Sequence, residues 1–304
     1  MITVFTPAYN RSDKLHRVYD SLLSQTYKNF EWIIVDDGSV DNTTDVVNNF
    51  KKAAPFDIIF FQFQENKGKH VATNKALELA NGDFFIVADS DDAFTPDALR
   101  FFIEKWNDIP PNEREDYCGI RACCEDQNGK RISDVLKEEP LICSMADAFY
   151  IHGFRKESWC MVRTDLHRRY LFPENHRGYF PEGIIWKAIS RDKKLAFYNI
   201  IIRIYYIDEP GESIMSAKIP YHKKVSRNLV STFDVLNNDI GYFKYDMLYF
   251  IKTAIIFTFY SLISGGLFHN TKKLTSTRAK LLVIGLLPVS LVMYVYKKWI
   301  TGDS

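Results

Sequence analysis

Phe84-Phe85-Ile86-Val87-Ala88-Asp89-Ser90-Asp91-Asp92 is the stretch on which the fold turns. Five residues rich in aromatic and β-branched side chains predict a buried strand, and three carboxylates crowd in directly behind it. Like charges at the end of a buried strand repel one another, so the fold needs a reason to hold them. A bound divalent cation supplies one, because hard cations take oxygen ligands and Mg²⁺-like ions use one or two carboxylates together with substrate phosphates. The other reading is a solvated turn whose first Asp or Ser caps the next helix.

The same design repeats upstream. Ile2 to Phe5 is a short apolar strand broken by Pro7, and Ser12 is placed to cap a helix with Leu15, Val18, Leu22 and Leu23 inward. Phe30 to Val35 predicts a second strand ending in Asp36-Asp37-Gly38-Ser39, and residues 43–50 a helix. Asp57 to Phe63 predicts a third strand. His70 to Ala80 predicts a helix with Val71, Ala72, Ala76, Leu77 and Ala80 inward. Strands alternating with helices imply an α/β, doubly wound, parallel sheet, in which ligands bind beyond the carboxyl ends of strands. Three loops meet that condition: Thr6–Arg11, Asp36–Ser39 and Asp89–Asp92. Asx turns and N-caps favour the same residue types. The chain has neither a G-x-x-x-x-G-K-[ST] loop nor a G-x-G-x-x-G after its first strand, which disfavours a Walker-type kinase and an ordinary dinucleotide dehydrogenase.

Composition narrows the class further. A hydrophobic fraction of 46% builds a full core, and five cysteines without a CxxC pair predict neither a disulfide framework nor a zinc site. The N-terminus runs straight into a strand pattern and does not read as a signal peptide. The net charge of +1 is unevenly spread. Residues 1–214 carry 27 basic and 34 acidic side chains, and residues 215–304 carry 12 basic and 4 acidic ones. An acidic body with a basic, apolar tail implies that the tail meets something anionic and that nucleic acid is not the partner.

At this point the motifs resemble family-2 glycosyltransferases of the GT-A fold. They are Thr6-Pro7-Ala8-Tyr9-Asn10, Gln25-Thr26-Tyr27-Lys28-Asn29-Phe30-Glu31, Val35-Asp36-Asp37-Gly38-Ser39-Val40-Asp41, Asn66-Lys67-Gly68-Lys69-His70-Val71-Ala72-Thr73-Asn74 and Asp89-Ser90-Asp91-Asp92, in this order. Phe172-Pro173-Glu174 and Phe180-Pro181-Glu182-Gly183 resemble a bacterial polysaccharide or glycolipid subgroup less specifically. The resemblance implies an inverting transfer of a hexose from a nucleotide-diphosphate donor, expected to be a UDP-sugar, to a hydroxyl of a glycan or lipid-linked acceptor. It implies that Pro7, Ala8 and Tyr9 flank the base, that Thr6 belongs to the nucleotide-binding set, and that Asp37 or Asp36 accepts from the imide N–H of the base. Lys69, Asn74 and Ser90 would lie near the nucleotide, Asp89 would face the ribose, and Asp91 would hold Mn²⁺ or Mg²⁺ with Asp92 sharing the ion or orienting a neighbour. The physics of the groups agrees: a carboxylate only accepts, which suits an imide donor, and a divalent cation stabilises the charge developing on a departing diphosphate. A sugar-nucleotide nucleotidyltransferase and a non-catalytic, membrane-bound nucleotide-binding scaffold are the alternatives.

The second half reads less regularly. Residues 96–107 predict a helix capped by Thr95, Cys118 to Cys124 a strand, Gln127-Asn128-Gly129-Lys130 a hairpin turn, and Lys194 to Tyr206 a strand pair. In the family, the region of Ile151 to Val162 lines the acceptor side, and ordinary core packing is the alternative for its Trp159. An inverting transfer needs a base for the acceptor proton. Glu182 is the first candidate, with Glu157 and Glu174 behind it. His176 and His222 are candidates to complete a metal shell, and residues 209–216 resemble the family's closing loop. The expected organisation is a catalytic domain over 1–214, divided into a nucleotide-binding half (1–100) and an acceptor half (101–214), and a helical tail over 215–304. The tail's apolar stretches, Ile251–Phe268 and Leu281–Tyr296, are interrupted and flanked by Lys and Arg, and the second falls short of the ~20 residues a spanning helix needs. They predict helices lying in the membrane interface at the cytoplasmic face of the inner cell membrane, peripheral or monotopic. An amphipathic cap on the catalytic domain or a homo-oligomer interface is the other possibility.

Overall fold

A computed structural model describes residues 1–176, 178–207 and 221–301, the side chains of 221–223, 300 and 301 excepted. The chain forms two compact units, one of residues 1–177 and 185–217 and one of residues 178–184 and 218–304. In chain order the elements are β1 (Ile2–Ala8), α1 (His16–Leu23), β2 (Phe30–Asp36), α2 (Thr43–Ala53), β3 (Ile58–Gln62), α3 (Lys69–Leu79), β4 (Phe84–Val87), β5 (Ala93–Phe94), α4 (Ala98–Asn107), β6 (Tyr117–Asp126), β7 (Leu141–Cys143), α5 (Met145–Tyr150), β8 (Ser158–Arg163), α6 (Thr164–His167), α7 (Gly183–Ile189) and β9 (Lys194–Tyr205). The second unit continues with α8 (Tyr221–Asp234), α9 (Met247–Ile263), α10 (Leu267–Lys273), α11 (Thr277–Gly285) and α12 (Leu287–Thr301).

The strands make one nine-stranded sheet in the order β3-β2-β1-β4-β8-β6-β9-β5, with β7 also on β9. The first four strands are parallel because a helix crosses over between each successive pair. Beyond β4 the sheet is mixed, with β8 antiparallel to both neighbours and β6 parallel to β9. The chain leaves β1 toward β2 and β3, then returns past it to β4. This reversal is the topological switch point, and it brings the carboxyl ends of β1, β2 and β4 side by side.

Both faces of this sheet are buried, and strand periodicity sorts the side chains. Ile2, Val4, Trp32, Ile34 and Ile86 pack on one side with Leu15, Val18 and Leu22 of the α1 region and Leu99 and Phe102 of α4. Phe5, Ile33, Val35 and Phe85 pack on the other with Ala72, Ala76 and Leu77 of α3. The small alanines let α3 lie close to the sheet, which places its first turn near the loop ends.

Several local expectations change. Ser12 does not cap α1: its N–H donates to Asp41 Oδ2 (3.1 Å), and the helix starts at His16 after a turn closed on the Arg11 carbonyl. Leu23 is exposed rather than inward. Thr95 lends α4 only its backbone carbonyl, and α4 begins at Ala98. Lys194 to Tyr205 is one twelve-residue strand, not a pair. It recruits the two-residue strand β5, which is too short to show a period in sequence. Gln127–Lys130 forms the turn, closed by Asp126 N–H to the Lys130 carbonyl at 2.8 Å. The 209–216 loop lies outside the described residues, as does the side chain of His222.

His167 is buried at 0% exposure among Phe85, Phe172 and Trp186, and neither ring nitrogen has a hydrogen-bond partner among the described residues. Burial pushes its pKa down to about 4, so the native ring stays neutral while the unfolded chain takes up a proton below pH 6.5. The unfolded state binds more protons in that window, so stability is lost as pH falls from 6.5 toward 4. Urea unfolding at pH 7 and pH 4.5 should show a loss of roughly 2.5 kcal/mol from this group, and His167→Phe should remove that part of the acid slope. An unchanged slope in the variant would refute the assignment.

Candidate functional site

The acidic loop behind β4 is organised by a guanidinium from β9. Arg203 is only 4% exposed. Its Nη2 donates to Asp89 Oδ2 (2.7 Å), and its Nε donates to Asp92 Oδ2 (2.8 Å), with Nη2 in close contact with the same oxygen. Its Nη1 stands 3.5 Å from Glu157 Oε1. Asp92 Oδ1 accepts from the Tyr206 backbone N–H (3.1 Å). Asp89 Oδ1 accepts from Lys69 Nζ (2.6 Å). Asp91 pairs at 3.8 Å with Arg11 Nη2, and its carbonyl accepts from Arg17 Nη1 (2.8 Å). The Arg17 guanidinium lies 4.0 Å from the centre of the Tyr206 ring. Together with Ala93 and Phe94, these two residues line an open cavity of about 390 Å³ bordered by His16 and Asp20.

The three aspartates are therefore in different states. Burial works against an ionised Asp89, but Lys69 and Arg203 hold its carboxyl well below the usual carboxylate range. Burial pushes Asp92 up; Arg203 opposes the rise and the neighbouring Asp89 adds to it. Desolvation acts on Arg203 as well, yet Asp92 and Asp89 keep it charged. Asp89 and Asp91 remain partly exposed, whereas the Asp92 side chain is 3% exposed. Both Asp92 oxygens are held by protein donors. They make Asp92 an anchor between the loop and β9.

The loops after β1 and β2 are knitted together by side chains. Thr6 is buried, and its hydroxyl accepts from Trp32 Nε1 (2.9 Å), so it supports the strand end rather than presenting an oxygen. Pro7 is half-buried, Ala8 buried and Tyr9 exposed. Asp36 is fully buried and accepts from the Ser39 N–H (3.1 Å), the Ser39 hydroxyl and Gln62 Nε2 (2.8 Å), which closes the β2 turn from within. Asp37 accepts from the backbone N–H groups of Lys67 (2.7 Å) and Gly68 (2.8 Å). Burial raises its pKa against those two bonds. Gly38, at φ +77°, lies where an added Cβ would meet the Glu65 carbonyl carbon at 2.8 Å, so only glycine lets this turn pass so close. By fixing Lys67 and Gly68, Asp37 sets the start of α3, and the next residue, Lys69, reaches Asp89.

Other expected residues go elsewhere. Asn74 binds the 172–174 segment on all sides: its amide donates to the Phe172 carbonyl (2.9 Å) and Glu174 Oε1 (3.2 Å), and its oxygen accepts from the Phe172 N–H (2.9 Å). His176 pairs with α3 through its carbonyl, 3.1 Å from His70 Nε2. Ser90 is buried in the acidic loop. Trp159 is core, flanked by Phe94 and Phe102, and its N–H donates to the Val87 carbonyl (2.6 Å). Glu182 lies on the segment 178–184 of the second unit and is half-buried. Arg11, Arg17 and Arg203 were not picked out from the sequence. Arg203 carried a signal, a lone cation within Ile200-Ile201-Ile202-Arg203-Ile204, since arginine is almost never buried unless paired.

No group of three or more His, Cys, Asp or Glu among the described residues is arranged to hold a metal ion. The chemistry of the donors nevertheless fits a hard cation that brings phosphate oxygens with it. Asp91 has a partly exposed carboxylate at the strand end, and such ions need only one or two protein carboxylates.

Residues 3–139 match the family model described as Glycosyl transferase family 2. The chain is 40% identical over 92 residues to the UDP-Glc:alpha-D-GlcNAc-diphosphoundecaprenol beta-1,3-glucosyltransferase WfaP of Escherichia coli, a match covering 30% of this chain and 36% of that protein. The chain spans between 36% and 48% of the length of the first curated relatives it matches. Among solved structures it resembles S. aureus TarS in complex with UDP-GlcNAc, with a TM-score of 0.64 at 18% identity over 95% of this chain and 80% of that one. It also resembles the mannosyltransferase PcManGT of Pyrobaculum calidifontis in complex with GDP-Man and Mn²⁺, with a TM-score of 0.56 at 17% identity over 99% of this chain and 83% of that one. At such identities the likeness shows the fold alone.

Removing Arg203 leaves the buried Asp92 carboxylate without its cation, beside Asp89, which keeps only Lys69. Arg203→Met should cost about 3–5 kcal/mol in urea unfolding at pH 7. The deficit should shrink toward pH 5 as the stranded carboxyls take up protons, because their folded pKa values then lie above the unfolded ones. A cost below about 1 kcal/mol, with no pH dependence, would show that the cluster does not need its cation.

Proposed function

We propose that this chain, which belongs to glycosyl transferase family 2, transfers a sugar with inversion from a nucleoside-diphosphate donor, a UDP-sugar first, to a hydroxyl of a glycan or lipid-linked glycan. The observation that carries this reading is the acidic loop Asp89–Asp92 at the switch point, set among Arg11, Arg17, Lys69 and Arg203. The partly exposed Asp91 carboxylate stands there beside the cationic Arg11 and Arg17, a setting suited to a metal ion and a diphosphate. The names of the relatives support a glycan acceptor, and an acceptor carried on lipid puts the work at the cytoplasmic face of the cell membrane.

In this reading each residue does what its surroundings allow. Asp37 holds Lys67 and Gly68 with one bond to each oxygen, and a carboxylate has about four lone-pair sites, so it can still accept from the imide N–H of a base. Asp36 is closed off within its own turn, which narrows the base contact to Asp37. Tyr9, exposed at the end of β1, offers a ring face to the same base. Asp89, kept ionised by Lys69 and Arg203, accepts from ribose hydroxyls. Asp91 holds Mn²⁺ or Mg²⁺, which when bound neutralises charge on the diphosphate leaving group. Arg11 and Arg17, both tied to Asp91, orient its carboxylate and add positive potential beside the leaving group. Glu182 takes the proton of the attacking hydroxyl.

Sugar transfer, or slow donor hydrolysis, should appear when the purified full chain meets UDP-sugars and Mn²⁺. Asp91→Asn should lower kcat roughly 10²–10³-fold and abolish the metal dependence of UDP binding in calorimetry. Glu182→Gln should lower kcat roughly 10²–10⁴-fold with UDP binding intact. Unchanged metal dependence in the first variant would displace the ion from Asp91, and an active second variant would displace the base from Glu182.

A further inference from the structure

The second unit carries an apolar surface that the transfer chemistry does not use. Helix α9 forms the centre of this unit, with Phe250, Ala254, Phe257 and Thr258 buried. Helices α11 and α12 bury Ala279, Val283 and Ser290, and the Ser290 hydroxyl donates to the Ile255 carbonyl of α9 (3.4 Å). That docking leaves the opposite side outward. Leu281 and Ile284 on α11 are 66% and 60% exposed, and Val292, Val295 and Trp299 on α12 are 70%, 62% and 81% exposed. Soluble monomers rarely leave a contiguous apolar surface of this kind uncovered.

Length and charge select what covers it. No single helix among the described residues is long and apolar enough to cross a membrane, and α11 and α12 qualify only as a pair bent by 52°. Pro288 at the start of α12 ends the straight run. Arg278 and Lys280 stand at one end of the bent pair, and Lys297 and Lys298 at the other. Cations at both ends favour both ends on one side of the bilayer. Residues 247–301 contain seven Lys or Arg and no Asp or Glu. A second copy docking through the same face would bring only like charges to this rim, whereas anionic headgroups are opposite in charge to it. Tyr296 and Trp299, stacked at 6.5 Å beside Lys297 and Lys298, are the amphipathic rings found at headgroup depth.

We infer that the outward face of α11 and α12 docks on an anionic lipid surface, the bent pair lying in one leaflet with its apolar face among the acyl chains and its basic ends at the headgroups. The inference rests on the second unit alone and stands or falls independently of the transfer reaction. The full chain should float with mixed phosphatidylcholine–phosphatidylglycerol vesicles and bind pure phosphatidylcholine vesicles far more weakly. Val292→Asp with Val295→Asp should abolish flotation. Arg278→Glu with Lys298→Glu should weaken it by roughly 30-fold or more. Both pairs are exposed, so folding and UDP binding by the first unit should be retained, and circular dichroism and calorimetry check this. Absence of flotation, equal binding to neutral vesicles, a C-terminal tag protected inside closed vesicles, or a concentration-dependent dimer dissolved by the aspartates would each overturn the inference.

Discussion

The Arg203 guanidinium is the interaction on which the site depends. A buried arginine is tolerated only when its donors are answered, and here Asp89, Asp92 and Glu157 surround it. The reverse also holds: the acidic loop could not sit behind a buried strand without a cation to offset its self-repulsion. Because Arg203 is part of β9, the pairing joins the acidic loop to the far half of the sheet. The two-residue strand β5, bound to β9 at Ile204 and Arg203, continues the same join through the backbone.

From that anchor the carboxylates acquire separate roles. Asp92 is immobilised by Arg203 and the Tyr206 N–H, so it fixes the loop. Asp89 is held between Lys69 and Arg203, which favour its ionised form. Asp91 points its carboxylate toward Arg11 while its carbonyl is held by Arg17. A chain of contacts leads back through Lys69 to the start of α3, to Asp37 and to the end of β1, whose Ala8 carbonyl accepts from the Asp37 N–H (2.7 Å). The three loops therefore form one connected cluster, and the order of strands at the switch point is what makes those connections short.

Much of this was legible in the chain. Alternating strands and helices over the first hundred residues predict the parallel arrangement of β1 to β4. The polar residues behind each strand mark the loops, since a buried parallel strand has little other reason to end in charge. What escaped sequence reasoning are partnerships between distant residues. Asn74, Thr6 and Asp36 look like ligand groups because Asn, Thr and Asp serve ligand binding and backbone support equally well. The bonds to Phe172, Trp32 and Ser39, which show the supporting use, appear only in the folded chain. Residues 194–206 predict a strand pair; their continuity as β9 comes from pairing with β6 across register shifts, which no local period reports.

The sequence by itself determined the class of fold, the three strand-end loops and the net basic, apolar tail, because each is a matter of local period or local charge. Tertiary structure alone decided which aspartates stay partly exposed, that an arginine more than a hundred residues away neutralises the loop, and which side of α11 and α12 is left outward. Burial, pKa and pairing are properties of neighbourhoods, and the neighbours of Asp92 are not written near Asp92 in the chain.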